Sequence, residues 1–254
     1  MSIDRNSRES SEMFFKRLSL QRISTGSYNF DSLLGGGLPI ACITDVYGAA
    51  GTGKTQFAFQ NAIMTCERLS KLEQQQKKKS NSPYVLFVDC AGSFRPERIV
   101  EIAQSRVLDS NKILERISSI TVRSVADQRK ASERLESELL FSDCRLLIVD
   151  DVTVNFVSEF EGEDNIVARQ TTLSLYARHL AYLANRRGIS VLLTNSVRSR
   201  GERGEGETTG EILSAFTLFR LHFTKSDRDR FATLLQPDVS MKRAKFEIAT
   251  RGIS

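Results

Sequence analysis

The chain has 254 residues, 40% of them hydrophobic, enough to bury a core without disulfides or a structural metal. No apolar run approaches the roughly 18 residues of a membrane span, and the polar start from Met1 to Glu12 lacks the apolar stretch of a signal peptide, so no membrane is expected among its partners. The formal charge of +5 permits nucleic-acid contact without requiring it, and four widely spaced cysteines, Cys42, Cys66, Cys90 and Cys144, form no C-x-x-C pair and read as buried reduced thiols of an intracellular protein.

Residues 1–21 read as a tail or a single docked helix, with Phe14, Phe15, Leu18 and Leu20 as anchors, and residues 22–254 as one core. A short helix over Phe30 to Leu34 is ended by Gly35-Gly36-Gly37. Ala41 to Tyr47 reads as a buried strand, and Phe57, Ala58, Asn61 and Ala62 follow at helical spacing in a helix that runs to about Leu72. Between strand and helix lies Gly48-Ala49-Ala50-Gly51-Thr52-Gly53-Lys54-Thr55, which fits G-x-x-x-x-G-K-[ST]. Average residue frequencies put a chance match at about one per cent for a chain this long, and the strand–loop–helix setting is the one the motif needs. Glycines let backbone N–H groups turn inward toward phosphate oxygens, and the helix N-terminus adds partial positive charge. Lys54 is placed to reach the β- and γ-phosphates of ATP, and Thr55 to put a hydroxyl on Mg²⁺.

Gln74 to Ser82 is lysine-rich and reads as a solvated loop. Strands are predicted at Tyr84 to Asp89, Ile117 to Val122, Arg145 to Asp150 and Ser190 to Asn195. Helices are predicted at Pro96 to Arg106, Ala126 to Leu140 with Leu135 and Leu139 as its apolar pair, and Val167 to Arg187 stopped by Gly188. The alternation implies an α/β fold, a doubly wound and mostly parallel sheet. After residue 210, Thr217 to Thr224, Phe231 to Leu235 and Ala244 to Ala249 read as strands that extend the sheet in antiparallel fashion at one edge.

Asp150 ends an apolar strand, where open α/β sheets bind ligands, and an aspartate there commonly orders the water shell of a phosphate-bound Mg²⁺. Asp151 reads as a solvated neighbour. Asn195 fits either a bond to the γ-phosphate or nucleophilic water, or a turn cap.

Ile23-Ser24-Thr25-Gly26-Ser27, Leu33-Leu34-Gly35-Gly36-Gly37 and Gly51-Thr52-Gly53-Lys54-Thr55-Gln56 resemble the ATPase core of RecA/RadA recombinases. So do Gly92-Ser93-Phe94-Arg95-Pro96-Glu97-Arg98, Leu147-Ile148-Val149-Asp150, Ala168-Arg169-Gln170 and Thr194-Asn195, in the family's order. The resemblance covers about residues 22–254. It implies a RecA-like P-loop fold, ATP and Mg²⁺, DNA, recombination repair and a cytoplasmic, nucleoid-associated location. It adds Gln56 to the nucleotide-binding residues and matches Arg98 to the arginine that stacks on adenine.

Four departures separate the chain from a strand-exchange recombinase. The family's Asp-Thr-Glu-Gly is Asp89-Cys90-Ala91-Gly92 here, so the glutamate that activates the attacking water is Ala91. The family's Thr-Asn-Gln is Thr194-Asn195-Ser196. The first DNA loop, expected between about Phe156 and Ile166, holds Glu159, Glu161, Glu163 and Asp164, which repel phosphate. The family's N-terminal DNA-binding domain and its Phe-x-x-Ala segment are not found. The resemblance is therefore to a paralog similar to archaeal RadB, at most a weak ATPase, an accessory factor with weak, salt-sensitive DNA binding and the main recombinase or other repair proteins as partners. The segment from Arg198 to Gly210 is the expected second DNA loop, carrying Arg198, Arg200 and Arg203 beside Glu202, Glu205 and Glu207; a solvated connection fits it as well. One rival is a competent DNA-dependent ATPase or recombinase with Asp89 or a partner's residue as substitute base, since residues 89 and 91 lie on one side of an extended strand. Another is a KaiC-like signalling ATPase without a DNA role.

Overall fold

The computed structural model describes residues 22–77, 82–196, 198–199, 205–206, 210–227, 229–237 and 242–254. The expected tail, residues 1–21, lies outside them. Two short strands, β1 (Arg22–Ile23) and β2 (Leu38–Pro39), pair around helix α1 (Tyr28–Leu34). Strand β3 (Ile43–Gly48) leads through the glycine loop into α2 (Lys54–Gln76). Then follow β4 (Val85–Asp89), α3 (Pro96–Ser105), α4 (Ser110–Glu115) and β5 (Ile117–Thr121). Next are α5 (Val125–Ser137), β6 (Leu146–Asp150), α6 (Val154–Glu159), α7 (Ile166–Arg187) and β7 (Ser190–Ser196). A short helix α8 (Gly210–Ser214) precedes β8 (Phe219–Ser226), β9 (Asp229–Gln236) and β10 (Arg243–Phe246), and a two-stranded hairpin, β11 (Ile248–Ala249) with β12 (Gly252–Ile253), closes the chain.

The central sheet has eight strands in the order β10-β9-β8-β3-β7-β6-β4-β5. Strands β3 to β7 run parallel, as the near-continuous apolar runs predict. The expectation for the last strands needs correcting. β8 runs parallel to β3, and only β9 and β10 are antiparallel. Parallel neighbours need a long crossover, and the segment between Ser196 and Phe219, with α8 in it, supplies one. The stretch from Ala244 to Ala249 is broken at Glu247, and its end folds over α2 as the hairpin, held by Gln60, which donates to the carbonyls of Thr25 and Ile253 and accepts from the Ile253 N–H.

Each sheet face buries one apolar layer. On one side α1, α2, α3 and α4 cover Val46, Phe87, Ile148, Leu192 and Phe223, with Phe30 and Phe223 each in ring contact with the other and with Phe57 and Phe246 at 4.7–5.6 Å. On the other, α5, α6 and α7 cover Leu86, Val88, Leu147, Val149 and Val191. Two helical readings change. α5 stops at Ser137, so Leu139 is 92% exposed in a 3-10 turn, while Phe141 is fully buried in its place. α2 runs past Leu72 to Gln76, into the stretch read as loop. The helices α4 and α6 were not legible: each is about one and a half turns, too short for a periodic signal. All four cysteines are free thiols, and no described helix is long and apolar enough to cross a membrane.

Candidate nucleotide site

The parallel strands end together on one side of the sheet, and their register aligns Gly48 with Ser196, Tyr47 with Asn195 and Asp89 with Asp150. The loop from Gly48 to Gly53 crosses that side. At Gly48 a side chain is impossible, because a Cβ would lie 2.2 Å from the Phe223 carbonyl oxygen of β8. At Gly51, with φ of +76°, the added Cβ meets nothing, and the left-handed backbone alone favours glycine. Gly53 precedes α2, so the helix's first N–H groups point into the loop. Thr52 Oγ1 donates to the Ala49 carbonyl at 2.9 Å. Lys54 is buried, and two of its three N–H bonds go to the carbonyls of Gly48 (2.8 Å) and Ala49 (3.0 Å). Burial pushes the Lys54 ammonium down, and the carboxylates of Asp151 and then Asp150 push it back up.

Opposite the loop, Asp150 collects three hydroxyls. Thr55 Oγ1 (2.8 Å) and Ser93 Oγ (2.7 Å) donate to Oδ2, and Thr194 Oγ1 donates to Oδ1. Burial raises the carboxyl above the usual carboxylate range, and the three hydroxyls oppose that. The expected metal pair, Thr55 and Asp150, is thus in contact. Thr194 and Ser93 went unassigned from sequence; each stands inside a stretch quoted for the resemblance, but only the contact gives it a role.

Asp89 is used differently. Its Oδ1 accepts from the Ser93 N–H (2.9 Å) and its Oδ2 from the Phe94 N–H (3.2 Å), so both oxygens hold the turn that launches α3. Ala91 is exposed on that turn. Asp151, read as solvated, is buried: it is 6% exposed, and its Oδ1 accepts the Thr153 N–H (2.9 Å) and hydroxyl (2.8 Å). That hydroxyl also lies 3.1 Å from Asn195 Oδ1, and Asn195 is fully buried.

Arg98 is tied down in the plane of its guanidinium. Nε donates to Gln56 Oε1 (2.7 Å), Nη1 pairs with Glu101 (2.6 Å), and Nη2 donates to the Ala249 carbonyl (2.6 Å). The edge is spent on α2, on Glu101 and on the final hairpin.

The expected DNA loops are covered in part. Arg200 and Arg203 lie outside the described residues, and of Arg198 the description covers the backbone alone, in a two-residue ladder with Glu205–Gly206. The acidic stretch is not an open loop throughout. Phe156 and Val157 are buried in α6, and Glu159 Oε1 accepts the Val125 N–H at the start of α5 (2.6 Å). Glu161 and Asp164 are exposed.

A family model described as Rad51 matches residues 16–254. The chain is similar to the DNA repair and recombination protein RadA of Cenarchaeum symbiosum (strain A), with 32% identity over 250 residues. The aligned part is 96% of this chain and 61% of that protein, so the chain spans less than two thirds of the relative's length.

Proposed function

The chain belongs to the Rad51 family, the RecA/RadA recombinase ATPases, and from that premise we propose that it binds ATP with Mg²⁺ and serves as an accessory factor in homologous recombination and DNA repair. One observation carries the nucleotide reading. Thr55 and Asp150, 95 residues apart in sequence, meet at 2.8 Å beside the loop that holds Lys54. Hard oxygen donors next to an ammonium, at the start of a helix whose first N–H groups have no intrahelical partner, suit a magnesium triphosphate. Thr55 and Asp150 would hold the Mg²⁺, which supplies charge neutralisation on the β- and γ-oxygens. Gly48, Ala49, Ala50, Gly51, Thr52 and Gly53 would wrap the phosphates with backbone N–H groups, Lys54 would neutralise them, and Gln56 and Arg98 would border the adenine. Residues 22–254 act as one core. DNA contact is weak and salt-sensitive, through Arg198, Arg200 and Arg203, opposed by the exposed Glu161 and Asp164. With Ala91 in place of the family's glutamate, turnover is slow, so nucleotide chiefly orders the loops that partners meet, in the cytoplasm and at the nucleoid.

Lys54→Ala tests the reading. Losing hydrogen bonds from a charged group costs about 2–3 kcal/mol, so Mg²⁺-ATP affinity falls roughly 30- to 150-fold by calorimetry. Equal affinity in the variant would remove the phosphate loop from the argument. Mass measurement with and without ATP, DNA and the main recombinase then checks the accessory role: a complex that needs ATP supports it, and no association with either DNA or recombinase contradicts it.

A further inference from the structure

We propose that the open edge of the central sheet, β10 with the start of α1, binds single-stranded DNA, Tyr28 stacking on a base while Lys242 and Arg243 meet the flanking phosphates. The proposal rests on the DNA part of the reading above and adds a second surface to the arginines after β7. β10 is the last strand of the sheet, so no strand covers its outer side among the described residues. A groove of about 490 Å³ lies there, walled by Tyr28 and Asn29 of α1 and by Lys242, Arg243, Ala244 and Lys245. Tyr28 is 86% exposed, the most exposed aromatic ring among the described residues. The turn of helix that carries it is pinned to β10. The Phe30 ring meets that of Phe246 at 5.2 Å, and Asn29 Nδ2 donates to the Lys245 carbonyl at 3.0 Å. Opposite the ring, three exposed cations stand within residues 242–245. The Arg243 guanidinium lies 3.6 Å from the Phe231 ring centroid, and Lys245 pairs with Asp229 at 2.8 Å.

An exposed ring on an anchored helix, beside clustered cations, matches an unpaired nucleotide. The base brings a flat face to stack, and each backbone phosphate brings a negative charge. A duplex offers the phosphates but keeps its bases stacked on one another. A peptide strand fits the edge less well. The pairing of Leu234 with Lys242 and of Ala232 with Ala244 turns the backbone of Arg243 and Lys245 outward, as strand addition needs. Asn29 already holds the outward carbonyl of Lys245, however, and interrupts any ladder there. β9 and β8 separate β10 from β3 and its phosphate loop, so Tyr28 and Lys242 stand apart from the nucleotide site.

Fluorescence anisotropy of a labelled oligo(dT), titrated at several salt concentrations, decides it. Tyr28→Ala is expected to weaken binding about 5- to 150-fold, the range for one lost base stack, and to leave the logarithmic salt slope unchanged. Lys242→Gln combined with Arg243→Gln is expected to flatten that slope by about 1.4, at roughly 0.7 per lost contact. If the double variant fails to fold, Lys242→Gln alone takes its place, with a flattening of about 0.7 expected. Both effects persist when Arg198, Arg200 and Arg203 are neutralised, and calorimetric Mg²⁺-ATP affinity stays at the wild-type value throughout. Wild-type oligo(dT) affinity and slope in the Tyr28 and Lys242 variants overturn the proposal and leave the DNA reading standing. So does displacement of oligo(dT) by poly-glutamate equally well from wild type and Tyr28→Ala, which would make the groove a site for acidic protein. Wild-type chain that binds no oligo(dT) at low salt removes the DNA reading and this proposal with it.

Discussion

The ends of β4 and β6 make an instructive pair. Asp89 and Asp150 are register partners on adjacent parallel strands, both buried to the same degree, and both follow an apolar run. Sequence position treats them alike, but the donors that reach them differ. Asp89 is held by two backbone N–H groups of one turn, with the Ser93 hydroxyl farther off at 3.5 Å, and Asp150 by three side-chain hydroxyls at closer range from α2, β7 and the turn after β4. A hydroxyl can rotate and share its oxygen with a cation. A backbone N–H gives up its partner only if the turn opens. The first arrangement is a lock and the second a site, although the carboxylates are chemically identical.

Substitution at the two positions should break the likeness cleanly. Asp150→Asn keeps an acceptor but removes the charge, so the Mg²⁺-dependent part of ATP affinity falls roughly 30-fold, about 2 kcal/mol. Burial raises the folded pKa of Asp150, so its favourable contribution to folding is present below its unfolded pKa and lost as pH rises through the folded one. At neutral pH the neutral amide therefore leaves the nucleotide-free melting temperature equal or higher. Asp89→Asn does the opposite. One N–H of the turn loses its acceptor, at about 1–3 kcal/mol, and the melting temperature falls by roughly 3–8 °C while Mg²⁺-ATP affinity is kept. Calorimetry with and without Mg²⁺, beside thermal melts, reads both; a stability loss at Asp150 and an affinity loss at Asp89 would reverse the assignment.

The same contrast marks what could be read from sequence. The strand, glycine loop and helix around Lys54 and Thr55, and the strand that ends at Asp150, were legible because short-range spacing and apolar runs carry them. The parallel core was legible from its runs of Val, Leu and Ile, and its strands fall where expected to within a residue or two. The direction of β8 was not, since polar turns look alike whether they join hairpins or crossovers. The bonding of Asp89 and the burial of Asp151 were also hidden, because both depend on which N–H or hydroxyl folds back onto the carboxylate. Leu139 misled for a related reason: helical spacing continued past the residue at which the backbone leaves the helix.

A third strand end, that of β7, extends the comparison to DNA. Beyond Ser196 lie the arginines proposed to meet phosphate. Neutralising Arg198, Arg200 and Arg203 together should lower single-strand affinity and flatten the logarithmic salt slope by up to about 2, at roughly 0.7 per lost contact. An unchanged slope would assign any binding to another surface, and no binding by the wild-type chain at low salt would favour a nucleotide-dependent signalling role without DNA.

The smallest expected effect concerns the acidic stretch after α6, where the lock-and-site distinction recurs. Glu159 is a lock: its carboxylate accepts the Val125 N–H at the positive end of α5, 2.6 Å away. All three residues are exposed, but no hydrogen bond to a helix N-terminus is described for Glu161 or Asp164. Replacing Glu159 with Gln keeps an acceptor and removes the charge that favours the helix N-terminus, so about 0.5–1 kcal/mol of stability is lost, within the usual range for a helix-end charge. Its charge is already partly compensated there, and Gln at 159 should raise DNA affinity less than Gln at 161 or Asn at 164. Thermal melts and low-salt DNA titrations of the three variants check both halves. If all three raise DNA affinity equally and none lowers the melting point, Glu159 belongs with its neighbours as a surface charge, and the helix-capping account fails.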